Sequence, residues 1–107
     1  MLDKDQIKDV VDQYLLDHPV VGILLVGSYA RGYALESSDI DIMVFYKTSE
    51  LEVPYSTYDI IYKDYEFTIE HHSHELFIEL TADYRFNIGS LRMLLKVRDS
   101  IILSKSD

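Results

Sequence analysis

At 107 residues and 48% apolar composition, the chain has material for one hydrophobic core, so a single domain over 1–107 is expected. Its net charge is −9, from 19 acidic against 10 basic residues. That works against passive binding to nucleic acid or to an anionic membrane, since both need a basic surface. With no cysteine, the chain can form no disulfide, thiol nucleophile or zinc–thiolate centre.

No apolar run approaches the roughly 20 residues of a membrane span. The first residues, Met1-Leu2-Asp3-Lys4-Asp5, are charged and contain no apolar signal-peptide core. Both features are compatible with the cytoplasm, where the protein is expected.

In chain order, Ile7, Val10, Val11, Tyr14 and Leu15 have the i, i+3, i+4 spacing of one buried helix face. Asp3 is placed to cap this helix with Gln6 three residues on, and Asp17-His18-Pro19 should stop it. Val20 to Val26 is nearly all apolar, as in a strand covered on both faces. Gly27-Ser28 ends that strand, and a short helical turn follows through Tyr29-Ala30-Arg31 before Gly32. Ile40 to Tyr46 is a second strand, and Lys47 to Ser56, with Pro54, a polar loop.

Tyr58 to Tyr62 and Tyr65 to His71 are separated only by Lys63-Asp64, which predicts a tight hairpin without the favoured glycine. A helix is expected from about Ser73 through Leu76, Phe77 and Leu80. Another should carry Ile88, Leu91, Leu94 and Leu95, before a closing strand at Ile101-Ile102-Leu103. Strands and helices mix without strict alternation, which predicts an α+β fold with a small mixed or antiparallel sheet flanked by helices.

Two motifs carry chemistry. Asp39 and Asp41 stand one residue apart at the start of an apolar strand, so their side chains share one face. Like charges held side by side repel unless a cation sits between them. Magnesium is typically held by one or two carboxylates plus substrate phosphates, which such a pair can supply. Gly27-Ser28 lies where a buried strand passes into a helical turn. The backbone N–H groups there attract anions, glycine admits a close phosphate and the Ser28 hydroxyl adds a donor. Each motif alone is commonplace; together, at the same end of neighbouring strands, they outline one crevice.

The stretch GSYARGYALESSDIDIMVF resembles the signature of the nucleotidyltransferase superfamily related to DNA polymerase β. It is most similar to the small bacterial members, the minimal and the aminoglycoside nucleotidyltransferases. The family pattern, Gly-Ser followed by Asp-x-Asp or Asp-x-Glu, runs here from Gly27 to Asp41 without a gap. The resemblance implies a polymerase β palm-like fold and transfer of a nucleoside monophosphate, with ATP the expected donor, onto a hydroxyl with release of pyrophosphate. It implies that Gly27 and Ser28 hold the triphosphate and that Asp39 and Asp41 bind a pair of Mg²⁺ ions. Arg31 is in reach of a phosphate, with a plain exposed arginine the equal alternative.

The resemblance further implies a third carboxylate from the strand beside Asp-x-Asp. In Tyr65 to His71, Phe67 and Ile69 face the core and Glu66, Thr68 and Glu70 face the other way. Glu70 is favoured because it ends the apolar pattern near the following helix. Glu66 is the alternative, and Thr68, at mid-strand, cannot serve as a base. His71, His72 and His74 alternate between faces and are not expected to converge on a metal. The tyrosines near the hairpin, Tyr55, Tyr58, Tyr62 and Tyr65, suit packing or an interface better than base stacking.

Three functions remain open at this level. The first is a nucleotidyltransferase with a small-molecule or protein hydroxyl as acceptor. The second is an antitoxin-like partner of a helical toxin protein, and the third a nucleotide-binding module without turnover. Larger relatives complete the acceptor site with a helical domain, for which this chain has no room; either it is a stand-alone minimal enzyme that completes its site as a homodimer, or it is the catalytic part of something longer.

Overall fold

The computed structural model describes residues 2–35, 38–48, 55–82 and 88–105. The elements are α1 (Lys4–Asp12), β1 (Val20–Val26), α2 (Gly27–Arg31), β2 (Ile40–Tyr46), β3 (Tyr55–Tyr62), β4 (Tyr65–Ser73), α3 (His74–Thr81), α4 (Ile88–Arg98) and β5 (Ile101–Lys105). The strands form one sheet in the order β3-β4-β2-β1-β5. Only the β2–β4 pair is parallel; the other three pairs are antiparallel. The fold is α+β with a mixed sheet, as the element order predicted.

Strand alternation divides the core in two. On one face, Ile40, Ile42, Val44 and Tyr46 of β2 join Ile23 and Leu25 of β1 and Phe67 and Ile69 of β4 under Ile7, Val10 and Val11 of α1. On the other, Val26, Met43 and Phe45 pack with Phe77 of α3, and Met93 and Val97 of α4 close over them. The odd-numbered residues of β2, and with them Asp41, therefore face α3 and α4.

Asp3 and Gln6 form the expected reciprocal cap of α1, but the helix is shorter than its periodicity suggested. Gln13 and Tyr14 donate to the carbonyls three residues back, which tightens the last turn and leaves Tyr14 43% exposed. The hairpin at Lys63-Asp64 is present, and both residues have positive φ, 48° and 67°. That is the backbone a two-residue primed turn requires, adopted here without glycine. β3 begins at Tyr55, earlier than predicted, and the loop residues 49–54 with Pro54 lie outside the described residues. β4 runs two residues past its expected end to Ser73, which caps α3: its Oγ accepts from the Leu76 N–H and donates to the Thr48 carbonyl.

His71, on the α1 face, is fully buried, with Nδ1 2.7 Å from the Tyr46 hydroxyl; that hydroxyl also accepts from the Leu16 N–H at 3.0 Å. Burial, helped by neighbouring His72, pushes the His71 imidazole down to about 4. Below pH 6.5 the unfolded chain takes up a proton that the folded chain refuses, so stability is lost as pH falls from there toward 4, by up to about 3 kcal/mol. Urea midpoints between pH 7.5 and 4.5 should show this loss. His71→Phe should flatten the slope, and an unchanged slope in that variant would assign the loss to other groups.

Candidate active site

Antiparallel pairing sets Val26, the last residue of β1, against Asp41 near the start of β2. The chain therefore leaves β1 beside the Asp41 carboxylate. It does so through Gly27, at φ 76°, a backbone that L side chains rarely adopt. A Cβ built there would lie 2.6 Å from Asp41 Oδ2, so glycine is required twice over. α2 then occupies one short turn and closes at Gly32, φ 81°, whose N–H donates to the Ser28 carbonyl. Gly27-Ser28 and Asp41 are thus neighbours across one strand end. Arg31, at the far end of α2, is exposed, with its guanidinium 5.6 Å from the Tyr33 ring centroid.

The parallel register of β2 and β4 sets Ile40 against Phe67, Asp41 against Thr68 and Met43 against Glu70. No carboxylate stands directly opposite Asp41; Thr68 does, and its hydroxyl donates to Asp59 Oδ1 at 3.3 Å. The two candidates for the third carboxylate flank it. Glu66 stands on the Asp39 side, where a hydrogen bond shared with Asp39, and then the Asp39 charge, raise the Glu66 carboxyl above its usual range. Glu70 lies deeper, only 21% exposed, with Oε2 3.3 Å from His72 Nε2 and Oε1 3.6 Å from Lys96 Nζ.

Asp41 is the half-buried centre of this group. Burial raises its carboxyl most, the Lys96 charge opposes that, and Asp39 and Glu70 raise it further. Glu70 is held below its ordinary value, first by the His72 hydrogen bond and then, against the pull of burial, by Lys96. The Lys96 ammonium acts on two of these acids, Asp41 and Glu70, so the group has more acid than base among the described residues. The donors are carboxylate oxygens, hard ligands that suit Mg²⁺ when substrate phosphates complete the shell. Among the described residues no three acidic or imidazole side chains are grouped closely enough to hold a metal ion by themselves. Glu70 is turned to His72 and Lys96.

The three histidines separate. His71 is buried on the α1 face, His72 stacks on Phe45 on the opposite face at 5.2 Å between ring centroids, and His74 opens α3. Lys96 was not singled out from the sequence, where α4 was read only for its apolar residues. Its signal was the Arg92–Lys96 pair, four residues apart on that helix.

An α+β sheet in which a strand, a glycine turn and an Asp-x-Asp strand meet at one end defines a nucleotidyl-transfer class of protein. Residues 4–103 match the model of the nucleotidyltransferase domain, and the chain belongs to that family. Its fold is similar to the crystal structure of a nucleotidyltransferase-like protein from Exiguobacterium sibiricum, with a TM-score of 0.70 and 10% sequence identity. The likeness, one of fold alone at that identity, covers 97% of this chain and 34% of the other. The present chain therefore spans about a third of that protein's length. No curated protein sequence matches.

Gly27→Ala should cost about 1–3 kcal/mol through its left-handed backbone, and displace the Asp41 carboxylate besides. Chemical denaturation measures the first effect. A wild-type midpoint in the variant would show that Asp41 does not need this close approach.

Proposed function

We propose that the protein is a Mg²⁺-dependent nucleotidyltransferase that transfers a nucleoside monophosphate, with ATP as donor, to a hydroxyl on a small molecule or protein. Family membership supports nucleotidyl transfer. The observation that carries the finer reading is the contact between the Gly27 turn and Asp41, within a carboxylate group short of positive charge.

In this reading Gly27 and Ser28 hold the triphosphate, the glycine by close approach and the serine by its hydroxyl. Asp39, Asp41 and Glu70 would hold the metal. Bound Mg²⁺ supplies charge neutralisation for the phosphates and lowers the pKa of the attacking hydroxyl. Glu70, held by His72 and Lys96, is the group we assign to accept the acceptor's proton. Glu66, exposed and with its carboxyl raised by the neighbouring Asp39, is the weaker candidate for the third carboxylate.

One observation favours a partner in addition. Ile88, Leu91 and Leu95 recur at i, i+3 and i+7 on α4 and are all exposed. Such a stripe suits contact with a helical partner, a second copy or a further part of a longer protein.

ATP with Mg²⁺ should raise the melting temperature of the wild-type protein, and Asp39→Asn with Asp41→Asn should abolish the shift. Silence toward every nucleoside triphosphate with Mg²⁺ or Mn²⁺ would sink the reading. Pyrophosphate release with an accepted hydroxyl substrate should fall about 10²–10⁴-fold in Glu70→Gln, the usual range for loss of a general base. Glu66→Gln should stay near wild type; the reverse pattern would move the role to Glu66.

A further inference from the structure

The strand registers set four side chains in one row across the site's face: Val26 of β1, Asp41 of β2, Thr68 of β4 and Asp59 of β3. Thr68 is half-buried, and its neighbours on the same face of β4 are Glu66 and Glu70. Its Oγ1 donates to Asp59 Oδ1 at 3.3 Å. A carboxylate only accepts, so Thr68 gives its one proton away from Asp41, toward β3. The oxygen thereby presents lone pairs to the crevice between Asp41 and Glu70. Asp59 was not singled out from the sequence, since its partner lies on the neighbouring strand.

The two ends of the row differ. At the β1 end, Val26 leads into the Gly27 turn, to which the nucleotidyl-transfer reading gives the triphosphate. Met93 and Val97 of α4 pack against the apolar cluster there. The β3 end is open: Asp59 and Glu66 are exposed, and Ile61, across from Glu66 on the same face, is 74% exposed. In phosphoryl transfer the attacking and leaving oxygens stand roughly in line with the phosphorus between them. With the phosphates at the β1 end, the acceptor enters from the open flank of β3 and β4. Thr68 is the next side chain of the row on that side of Asp41.

We infer that Thr68 orients the acceptor molecule and that Asp59 orients Thr68. The inference rests on the nucleotidyl-transfer reading and adds these two residues to it. The attacking hydroxyl is aimed at Glu70, which lies two residues along the same strand face, roughly 6.6 Å from Thr68 by strand rise. A second donor on the same molecule, a hydroxyl or amine on the adjoining carbon, gives its hydrogen bond to Thr68 Oγ1. In the transfer, the acceptor oxygen bonds to the α-phosphorus as the bond from that phosphorus to the α–β bridging oxygen breaks. The electron pair of that bond leaves with the pyrophosphate, and the proton of the attacking hydroxyl passes to Glu70. Thr68 exchanges no proton. Asp59 is a positioning residue: it keeps the Thr68 proton from turning into the crevice, where it would block the second donor. The pair thus favours acceptors with two neighbouring donors over those with one isolated hydroxyl.

The test gives the whole chain ATP, Mg²⁺ and two competing acceptors, ethylene glycol and methanol at equal concentration. Mass spectrometry reads the ratio of the glycol ester of AMP to its methyl ester. Both esters form at one site in one sample, so the ratio does not depend on how much of a variant is folded. Thr68→Val, which keeps the shape and removes the hydroxyl, should lower the ratio about two- to tenfold, the range for one neutral hydrogen bond. Thr68→Ser should retain the wild-type ratio. Asp59→Ala should lower it in the same direction, with the Thr68 hydroxyl still present. A ratio in Thr68→Val equal to wild type, with both esters formed, would overturn the inference and leave nucleotidyl transfer standing. A wild-type ratio in Asp59→Ala alone would overturn the role given to Asp59. If the wild-type chain releases no pyrophosphate from any nucleoside triphosphate with either alcohol, the transfer reading falls and the inference with it.

Discussion

The approach of Gly27 to the Asp41 carboxylate is the constraint around which the site is arranged. Pairing of Val26 with Asp41 forces the chain to leave β1 at that point, and the carboxylate already occupies the space where a side chain would go. A left-handed glycine resolves the conflict by turning the backbone sharply into α2. From that turn follow the position of Ser28, the direction of α2 and the delivery of Arg31 to a cavity beside α4. One strand register thereby decides where the Gly27 turn, the Asp41 carboxylate and Arg31 stand relative to one another.

The second determinant is electrostatic. Asp41 is half-buried among Asp39, Glu70 and Lys96, and burial outweighs the help it receives from the lysine. Such a carboxyl is harder to ionise than one in water, and added positive charge would ease its ionisation. Glu70 is already satisfied by His72 and Lys96 and stays ionised. Two acids on the same sheet face thus have opposite shifts, set by burial for one and by an imidazole and an ammonium for the other.

Much of this was legible from residue order because it depends on strand alternation. The apolar runs at Val20–Val26 and Ile40–Tyr46, the hairpin at Lys63-Asp64 and the opposite facing of Phe67 and Glu70 all follow from period two. The end of α1 was less legible. Tyr14 continues the helical spacing, but the last turn tightens and the side chain stays exposed, an outcome of tertiary fit that periodicity does not carry. The parallel register of β4 against β2 was equally hidden, since alternation fixes the face of Glu66, Thr68 and Glu70 but not which of them stands across from Asp41. Lys96 was missed because its partners, Glu70 and Asp41, lie on strands distant from it in the chain.

The two faces of the sheet also explain why adjacent histidines have unrelated roles. His71 points toward α1, into an apolar layer where burial disfavours its charged form, and stays neutral against the Tyr46 hydroxyl. His72, one residue on, points the other way, stacks on Phe45 and meets Glu70. The α1 face is therefore apolar core, and the α3–α4 face carries the carboxylate group. Substitutions on the first should act through unfolding and on the second through ligand binding. The division also bears on the third carboxylate. Of the β4 side chains on the site's face, Glu70 alone is both half-buried and braced by a cation and an imidazole, so its geometry depends on the fold. Glu66, exposed at the strand's start, depends only on Asp39. A group that must hold a fixed position during transfer belongs where packing fixes it, which favours Glu70 on mechanical as well as electrostatic grounds.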